Sequence, residues 1–546
     1  MHLLLVALHI EPGPRAVPLG PGMLAAALKK HHPDHVQTTV VDLFLNQSAE
    51  ACADALLALE PDAVGFSVYV WNRELALEIA GLLGERRPDL LLLAGGAEVT
   101  ADPEGMKAEG VFDLVLPGEG EELLVQVVGR LFQGHPPEAI QADVQPAPVM
   151  DLGTLPSPFL DKTLDPCRYS GMLWELSRGC PFKCDFCFES RGVAGTRRIP
   201  MERLEAELAR FEACGVSQVF VLDPTFNAEP EQAKAILRLI ARVAPDIHFF
   251  FEIRSEFIDA EMARLFASVR CTLQIGLQSA HDAVLRHLSR RIQPRAFQAK
   301  LLHLHQAGAT YGLDLIYGLP GDTLQGFLDS LDFALGLAPN HLDLFPLSVL
   351  PGTRLAETAP SFGLEHLPRV PYTVLSSPTF SATDMAEAAR LARACDRLYN
   401  EGKAVPWFGL LLGAMEMAPS ELIRRFADRL EVHPCVTVAD FIADQVEEPA
   451  QASVVHSLVV WFTHVGELTE AAAHAPAGAA PIQRRVIFRR DPEALLDLLG
   501  QGITELEDLA CVVPESPVER LLSIQGGEPI IQRLHASDAP SGAHHG

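Results

Sequence analysis

Short apolar runs alternate with amphipathic stretches through the first 145 residues. LLLVALHI, TTVVDLFL, AVGFSVYV, LLLLAGG and FDLVLPG read as five strands, rich in branched residues and apolar on both faces. GPGMLAAALKKHH, ELALEIAGLLGERR and EELLVQVVGRLF carry helical spacing between them. The alternation predicts a parallel sheet covered on both sides by helices. Residues 146–170 hold five prolines and no sustained period, which predicts a linker packed between domains.

A second series of strand–helix units runs over residues 171–375, with candidate strands MLWELSR, SQVFVLDP, IHFFFEIR, TLQIGLQS, YGLDLIYGLP and HLDLFPLSVL. Six such units predict a barrel or partial barrel, with its chemistry at the carboxyl ends of the strands. Residues 376–546 read as mainly helical and are expected to cap the barrel mouth. Within them SVVHSLVVWFT and RVIFR are candidate strands, AAAHAPAGAAP a flexible break and SDAPSGAHHG a disordered tail.

Composition narrows the partners. The formal net charge of −28 argues against general affinity for nucleic acid, which relies on surplus Lys and Arg. The apolar N-terminal run lacks a basic region before it and a cleavage site after it, so it reads as a first strand. No run is long enough to span a bilayer. Cysteines outside one loop (Cys52, Cys167, Cys214, Cys271, Cys395, Cys435, Cys511) show no disulfide spacing. They are expected to be mostly buried apolar residues in a chain of the reducing cytoplasm.

That loop, ELSRGCPFKCDFCFESR over residues 175–191, places Cys180, Cys184 and Cys187 at CxxxCxxC spacing. Three thiolates on one tight loop are soft ligands suited to zinc or an iron–sulfur cluster. A closed zinc site takes four protein ligands, usually in two pairs, and no second pair follows here. A four-iron cluster on three cysteines instead leaves one iron open to a small molecule. At the carboxyl ends of the first five strands lie His9, Ser67, Tyr69, Trp71, Asn72, Gly95, Gly96, Glu98, Gly118, Glu119 and Gly120. Ligands of such sheets sit at those ends, but spacing alone favours plain strand-to-helix turns for the glycines.

The cysteine loop, with Phe186 before its last cysteine, resembles the radical S-adenosylmethionine superfamily. LDPTFN (222–227), IGLQS (275–279), YGLPGDT (317–323) and VLPGTRL (349–355) resemble its later strand segments in order. GFSVYVWN (65–72), LLAGGAEVTADPE (92–104) and FDLVLPGEGEE (112–122) resemble the cobalamin-binding module that precedes this barrel in one subgroup. The resemblance implies a Rossmann-like (flavodoxin-like) α/β cobalamin-binding domain at 1–145 and a linker at 146–170. A partial (β/α)6 TIM-type radical barrel at 171–375 and a mainly helical region at 376–546 follow.

It also implies three cofactors: a 4Fe-4S cluster on Cys180, Cys184 and Cys187, S-adenosylmethionine on the open iron, and cobalamin. The cluster cysteines act with Phe186, Asn227, Glu252, Arg254, Gln278, Ser279, Arg291, Ile316 and Gly318 about S-adenosylmethionine. Phe186 and Ile316 to Leu319 would pack on the adenine, Gln278 and Ser279 would meet the ribose and amino-acid end, and Arg254, Arg290 or Arg291 the methionine carboxylate. Asp314 and Asp322 are further candidates. Ser67, Tyr69, Trp71, Asn72, Gly95, Gly96, Glu98, Gly118 and Glu119 would line cobalamin. The Asp-x-His-x-x-Gly signature of cobalt-ligating histidines is absent; His9 lies in its region without the aspartate.

The expected function is a methyltransferase acting on an unactivated carbon or phosphorus centre of a small-molecule or peptide substrate. An external one-electron donor of flavodoxin or ferredoxin type, and neither nucleic acid nor membrane, completes the expected partners. Ring contraction, cyclisation or another rearrangement without methyl transfer is the alternative; a cofactor-binding sensor is the third reading. A methylthiotransferase fits less well, because only Cys52 precedes Cys167.

Overall fold

The computed structural model describes residues 1–146, 150–191, 195–474, 482–525 and 528–533. Strands β1 (His2–His9), β2 (Gln37–Phe44), β3 (Ala63–Ser67), β4 (Leu91–Gly95) and β5 (Leu114–Val115) form a parallel sheet in the order β2-β1-β3-β4-β5. Leu4 and Val6 of β1 bury against one helical layer, with Ile79 and Leu83; Leu3 and Leu5 bury against the other, with Leu28 and Val127. The double apolar face of the sequence pattern is therefore two cores, one on each side. Strand order reverses between β1 and β3, which opens a crevice at their carboxyl ends.

A second parallel sheet of six strands follows in strict sequence order: β6 (Gly171–Trp174), β9 (Gln218–Val221), β10 (His248–Ile253), β11 (Cys271–Gln278), β12 (Thr310–Tyr317) and β13 (His341–Pro346). The two-stranded ribbon β7 (Ser177–Arg178) and β8 (Arg197–Arg198) brackets the cysteine loop, and the pair β14 (Glu365–His366) and β15 (Val374–Ser376) follows β13. β6 and β13 are unpaired edges, so the barrel is partial. Along β10 and β11 the burial alternates strictly. Phe249, Phe251, Ile253, Leu273 and Ile275 are buried under the helices, whereas Phe250, Glu252, Gln274 and Gln278 face the lumen. Each fully buried phenylalanine contributes roughly 1.5–3 kcal/mol of transfer free energy. Side-chain caps start the barrel helices where the sequence supplies them: Asp259 accepts from the Met262 amide and Thr323 from the Gly326 amide.

The proline-rich stretch packs its apolar residues: Leu152, Leu155, Phe159 and Leu164 are buried in the core that holds Trp174 and Phe211. Two cysteine expectations are corrected. Cys167 joins Cys214 in a disulfide that spans 47 positions, so wide a separation that no spacing motif marks it. The cysteine pattern therefore gives no argument for a reducing compartment. Cys435 and Cys511 are exposed rather than buried.

The last region also departs from expectation. SVVHSLVVWFT lies within the helix Pro449–His474, because Val454, Val455, Leu458 and Val459 recur at helical spacing and bury together. A three-stranded antiparallel sheet, β16 (Gln483–Phe488), β17 (Val518–Gln525) and β18 (Glu528–Arg533), packs on that helix. Of its strands only β16, which contains most of RVIFR, is signalled by sequence. AAAHAPAGAAP lies mostly, and the tail SDAPSGAHHG wholly, outside the described residues. Among the described residues no helix is long and apolar enough to cross a membrane.

Candidate active site between the two sheets

β6 ends on Trp174, fully buried beneath Phe211, with its indole N–H donating to Glu207 at 3.0 Å. The chain then turns into the cysteine loop under the control of Asp223, just beyond the end of β9. Its carboxylate accepts from the amides of Leu176 and Ser177, each at 3.0 Å, and from the Ser177 hydroxyl at 2.5 Å. Gly179, at a φ of 92°, makes the reversal that a side chain would strain. Farther along, Asp185 pins the loop to the barrel: its amide donates to the Leu288 carbonyl and its carbonyl accepts from the Leu355 amide.

Cys184 is buried, and Cys180 and Cys187 are partly so. Two guanidinium groups converge on Cys184. Arg254 Nη1 lies 4.0 Å from its sulfur, and Arg290 also donates to it. The Arg254 guanidinium rests on the Phe182 ring, 4.0 Å from its centroid. Burial pushes the Cys180 thiol up, partly opposed by the Phe182 amide, a hydrogen bond with Thr225 and the charge of Arg254. Burial pushes Cys187 up to about 11, with the neighbouring Cys184 and Cys180 adding to it. Among the described residues the only His/Cys/Asp/Glu trio with ligand atoms all within 4.8 Å is Asp165, Cys167 and Cys214. Three soft donors on one loop, flanked by two cations, fit an iron–sulfur cluster held by thiolates.

The lumen-facing ends of β10, β11 and β12 surround this loop. At the end of β11 the register shifts between Gly276 and Gln278, and Gln278 takes a φ of 67°. Its Oε1 is buried with no partner. A strained residue on a bulge with an orphaned acceptor is a ligand clamp in waiting, and it fits S-adenosylmethionine beside the cluster. Glu252 and Asp314 face the same lumen. Burial, then Asp314, push Glu252 up to about 7; burial also pushes Asp314 up to about 6. Phe186 and Ile316 are partly buried against the barrel core. Gly318 has a φ of 81°, and an added Cβ would meet Met385 at 2.7 Å.

Four residues expected around S-adenosylmethionine take other partners or positions in this structure. Asn227 is fully buried and both its amide atoms are spent on the Arg254 backbone, at 2.8 and 2.9 Å, so it positions that arginine. Ser279 is 1% exposed and turns away to Ser330 and the His281 amide. Arg291 is exposed, while Arg290, one residue earlier, reaches inward to the Gly276 carbonyl. Asp322 caps the Thr323 amide and is likewise buried away.

On the first sheet the crevice between β1 and β3 is closed by Asn72 and Trp71. Asn72 accepts from the Tyr69 amide at 2.7 Å and donates to the Leu8 and Ser67 carbonyls; Trp71 also donates to Leu8. Asn72 is 1% exposed and shapes the turn, whereas half-exposed Trp71 stacks on Tyr69 with centroids 4.5 Å apart and planes within 4°. Ser67 and Tyr69 flank Gly20. Gly95 accepts from the Val68 amide, and a Cβ at Gly96, whose φ is 104°, would lie 2.6 Å from the Val68 carbonyl. Gly118 donates to Thr100 at a φ of 91°. An anchored aromatic pair beside a bare backbone edge fits a broad planar cofactor such as cobalamin. His9 pairs with Asp42 at 2.8 Å, so a carboxylate partner comes from the neighbouring strand, where the local sequence lacks one.

Glu98 and Glu119, expected beside cobalamin, both make structural ties. Glu98 is buried between Arg73, at 3.0 Å, and the Tyr372 hydroxyl, at 2.8 Å. Glu119 receives Arg178, at 3.3 Å, and Arg197, the two arginines of the ribbon around the cysteine loop. Arg178 also meets Glu121 and Glu175, and Glu175 in turn raises the Tyr69 hydroxyl, after burial. The cobalamin-side loops and the cysteine loop therefore face one another across these pairs. Arg178, Arg197, Asp223 and Tyr372 escape the sequence reading. Arg178, two residues before Cys180, and Asp223, within LDPTFN, stand inside motifs, whereas Arg197 and Tyr372 do not.

Comparison with known proteins agrees with this architecture. Residues 6–128 match the B12 binding domain and residues 174–334 the radical SAM superfamily. The chain is 28% identical over 373 residues to the cobalamin-dependent radical SAM methyltransferase TokK of Streptomyces tokunonensis, covering 60% of this chain and 53% of that protein. It is 26% identical over 329 residues to hopanoid C-3 methylase of Methylococcus capsulatus, covering 55% and 61%. It spans about half the length of the first curated relatives it matches. The fold is shared with the cobalamin-dependent S-adenosylmethionine radical enzyme OxsB, at TM-score 0.61 and 15% identity over 86% of this chain and 80% of that one. It is also shared with the radical S-adenosylmethionine methyltransferase TsrM of Kitasatospora setae, solved with cobalamin and a [4Fe-4S] cluster, at TM-score 0.54 and 18% identity over 69% and 79%. With a five-stranded parallel sheet, a partial barrel and a three-cysteine loop between them, this chain joins a B12 binding domain to a domain of the radical SAM superfamily.

Proposed function

We propose that the chain is a cobalamin-dependent radical S-adenosylmethionine methyltransferase that acts on an unactivated carbon or phosphorus centre of a small-molecule or peptide substrate. A flavodoxin- or ferredoxin-type protein would be the electron donor. The observation that carries the reading is the apposition of the Tyr69–Trp71 edge and the cysteine loop, joined through Glu119 to Arg178 and Arg197. A methyl carrier and a radical source held on separate sheets serve one substrate only if the sheets are fixed face to face. When bound, the cluster and S-adenosylmethionine supply a hydrogen-abstracting radical, and cobalamin supplies a transferable methyl group.

The chain's own groups do the holding. Cys180, Cys184 and Cys187 would bind the cluster, with Arg254 and Arg290 offsetting the negative charge at Cys184. Gln278 would satisfy its orphaned acceptor on S-adenosylmethionine, with Glu252 and Asp314 beside it and Phe186 and Ile316 as apolar contacts. Ser67, Tyr69, Trp71, Gly95, Gly96 and Gly118 would form the cobalamin edge. TokK and hopanoid C-3 methylase are both named for methyl transfer, which supports this reading over rearrangement.

The test is anaerobic turnover of cluster- and cobalamin-loaded protein. S-adenosylhomocysteine and 5′-deoxyadenosine are both expected; 5′-deoxyadenosine alone rejects methyl transfer. Cys184→Ala is expected to remove the brown chromophore and all 5′-deoxyadenosine, and survival of either rejects the cluster assignment.

A further inference from the structure

The segment between β1 and the helix Leu19–His31 leaves the first sheet and enters the barrel. Pro14 packs so closely on Gly171 that a Cβ there would overlap it, and Val17 is buried in the barrel core. Between these anchors Arg15 lays its guanidinium over Phe220, 4.6 Å from the ring centroid, and beside Phe250 at 5.9 Å. Both rings face the lumen and stack on each other at 4.5 Å and 9°. Among the described residues no carboxylate lies within 4.0 Å of Arg15 and no hydrogen-bond acceptor meets it, and its side chain is exposed. Its field is felt at Glu252, where it partly opposes the rise caused by burial and Asp314.

An arginine seated on aromatic faces, with no acceptor taking its N–H groups, keeps them available in a fork that matches a bidentate oxyanion. This fork comes from the segment that follows β1 of the first sheet and rests on lumen-facing rings of the barrel, so it lies where a substrate would meet both. We propose that Arg15 is the substrate anchor and that the substrate carries a carboxylate or phosphate oxyanion, which Arg15 grips while Phe220 and Phe250 support the guanidinium. The inference rests on the methyltransferase reading for the word substrate, but the binding it claims is measured separately.

The experiment uses enzyme loaded with cluster and with cobalamin reduced to Co(II), whose unpaired electron speeds the relaxation of nearby nuclei. Butyrate, butyl phosphate, butylamine and butanol serve as probes, followed by proton and phosphorus NMR. Wild type is expected to give saturable relaxation enhancement with butyrate or butyl phosphate, and which of the two binds names the oxyanion. Arg15→Gln is expected to weaken that binding at least tenfold with cobalamin and iron contents unchanged, and Arg15→Lys to recover part of it. Equal enhancement by butanol or butylamine, equal binding by Arg15→Gln, no binding of either anion, or loss of cobalamin from Arg15→Gln each overturns the proposal. Missing S-adenosylhomocysteine in turnover would instead reject the methyltransferase reading and leave the probe result standing.

Discussion

The Tyr372 hydroxyl donates to the buried Glu98 carboxylate at 2.8 Å, across 274 positions of sequence. Glu98 lies in the first turn of the short helix Ala97–Ala101 after β4, and Tyr372 lies just before β15, where its carbonyl accepts from the Val349 amide. The bond therefore ties the cobalamin-side sheet to the exit of the barrel. Arg73 supplies the opposing charge, 3.0 Å from the same carboxylate. Tyr372→Phe removes one charge-assisted bond and leaves the ion pair. The expected loss is about 1.5–3 kcal/mol, read as a lower urea midpoint. Cobalamin should also dissociate faster, while iron content stays at the wild-type level.

Arg178 is the stronger tie. It is enclosed by Glu119, Glu121 and Glu175, and the two latter carboxylates raise its hold on the proton against the cost of burial. Arg178→Met leaves mostly buried carboxylates facing one another, with an expected cost of about 3–5 kcal/mol. Glu119→Gln should cost less, because Glu119 is a third exposed and Arg178 retains two partners. Denaturant unfolding of both variants checks the order; equal losses would refute the account.

The sheets and the cysteine loop are readable in the sequence because their signals are local. Period-two burial along β10 and β11, helical spacing between strands and three clustered cysteines all lie within windows of a dozen residues. Roles set by distant partners are not readable. Glu98 and Glu119 sit in the right motif strings, yet their partners, Tyr372 and the ribbon arginines, lie far along the chain. Asn227 and Ser279 fall in the expected segments but turn their polar atoms into the scaffold. Arg290 and Arg291 differ by one position, and only the turn after the helix Asp282–Arg286 decides which points inward. In the last third, short strands interrupted by helices leave only β16 to pattern reading.

The Cys167–Cys214 disulfide closes a loop of 47 positions that contains β6 and the cysteine loop. Constraint of the unfolded chain over such a loop is worth about 4 kcal/mol. Cys214→Ser should therefore lower the unfolding midpoint under non-reducing conditions and remove the effect of added dithiothreitol. Iron content is expected to remain, because Cys167 precedes β6 and Cys214 follows the helix Met201–Ala213, so neither belongs to the cysteine loop. A midpoint unmoved in the variant would show that the bond adds nothing to stability.

Asp223 gives the site a pH signature. Burial raises its carboxyl to about 6 from an ordinary 3.8, although Ser177 and two backbone amides oppose the rise. The folded protein therefore binds this proton more tightly than the unfolded chain does. Its contribution to stability is fully present below pH 3.8 and is lost as pH climbs through about 6. The two ends of that window differ by about 3 kcal/mol. An asparagine side chain at this position cannot titrate, so Asp223→Asn should gain on wild type by about that amount between pH 4 and pH 7. Urea midpoints of the two proteins, compared at each pH so that other carboxylates cancel, measure the difference. A gap that stays constant with pH, or widens in favour of wild type, would show that Asp223 remains ionised beneath the cysteine loop.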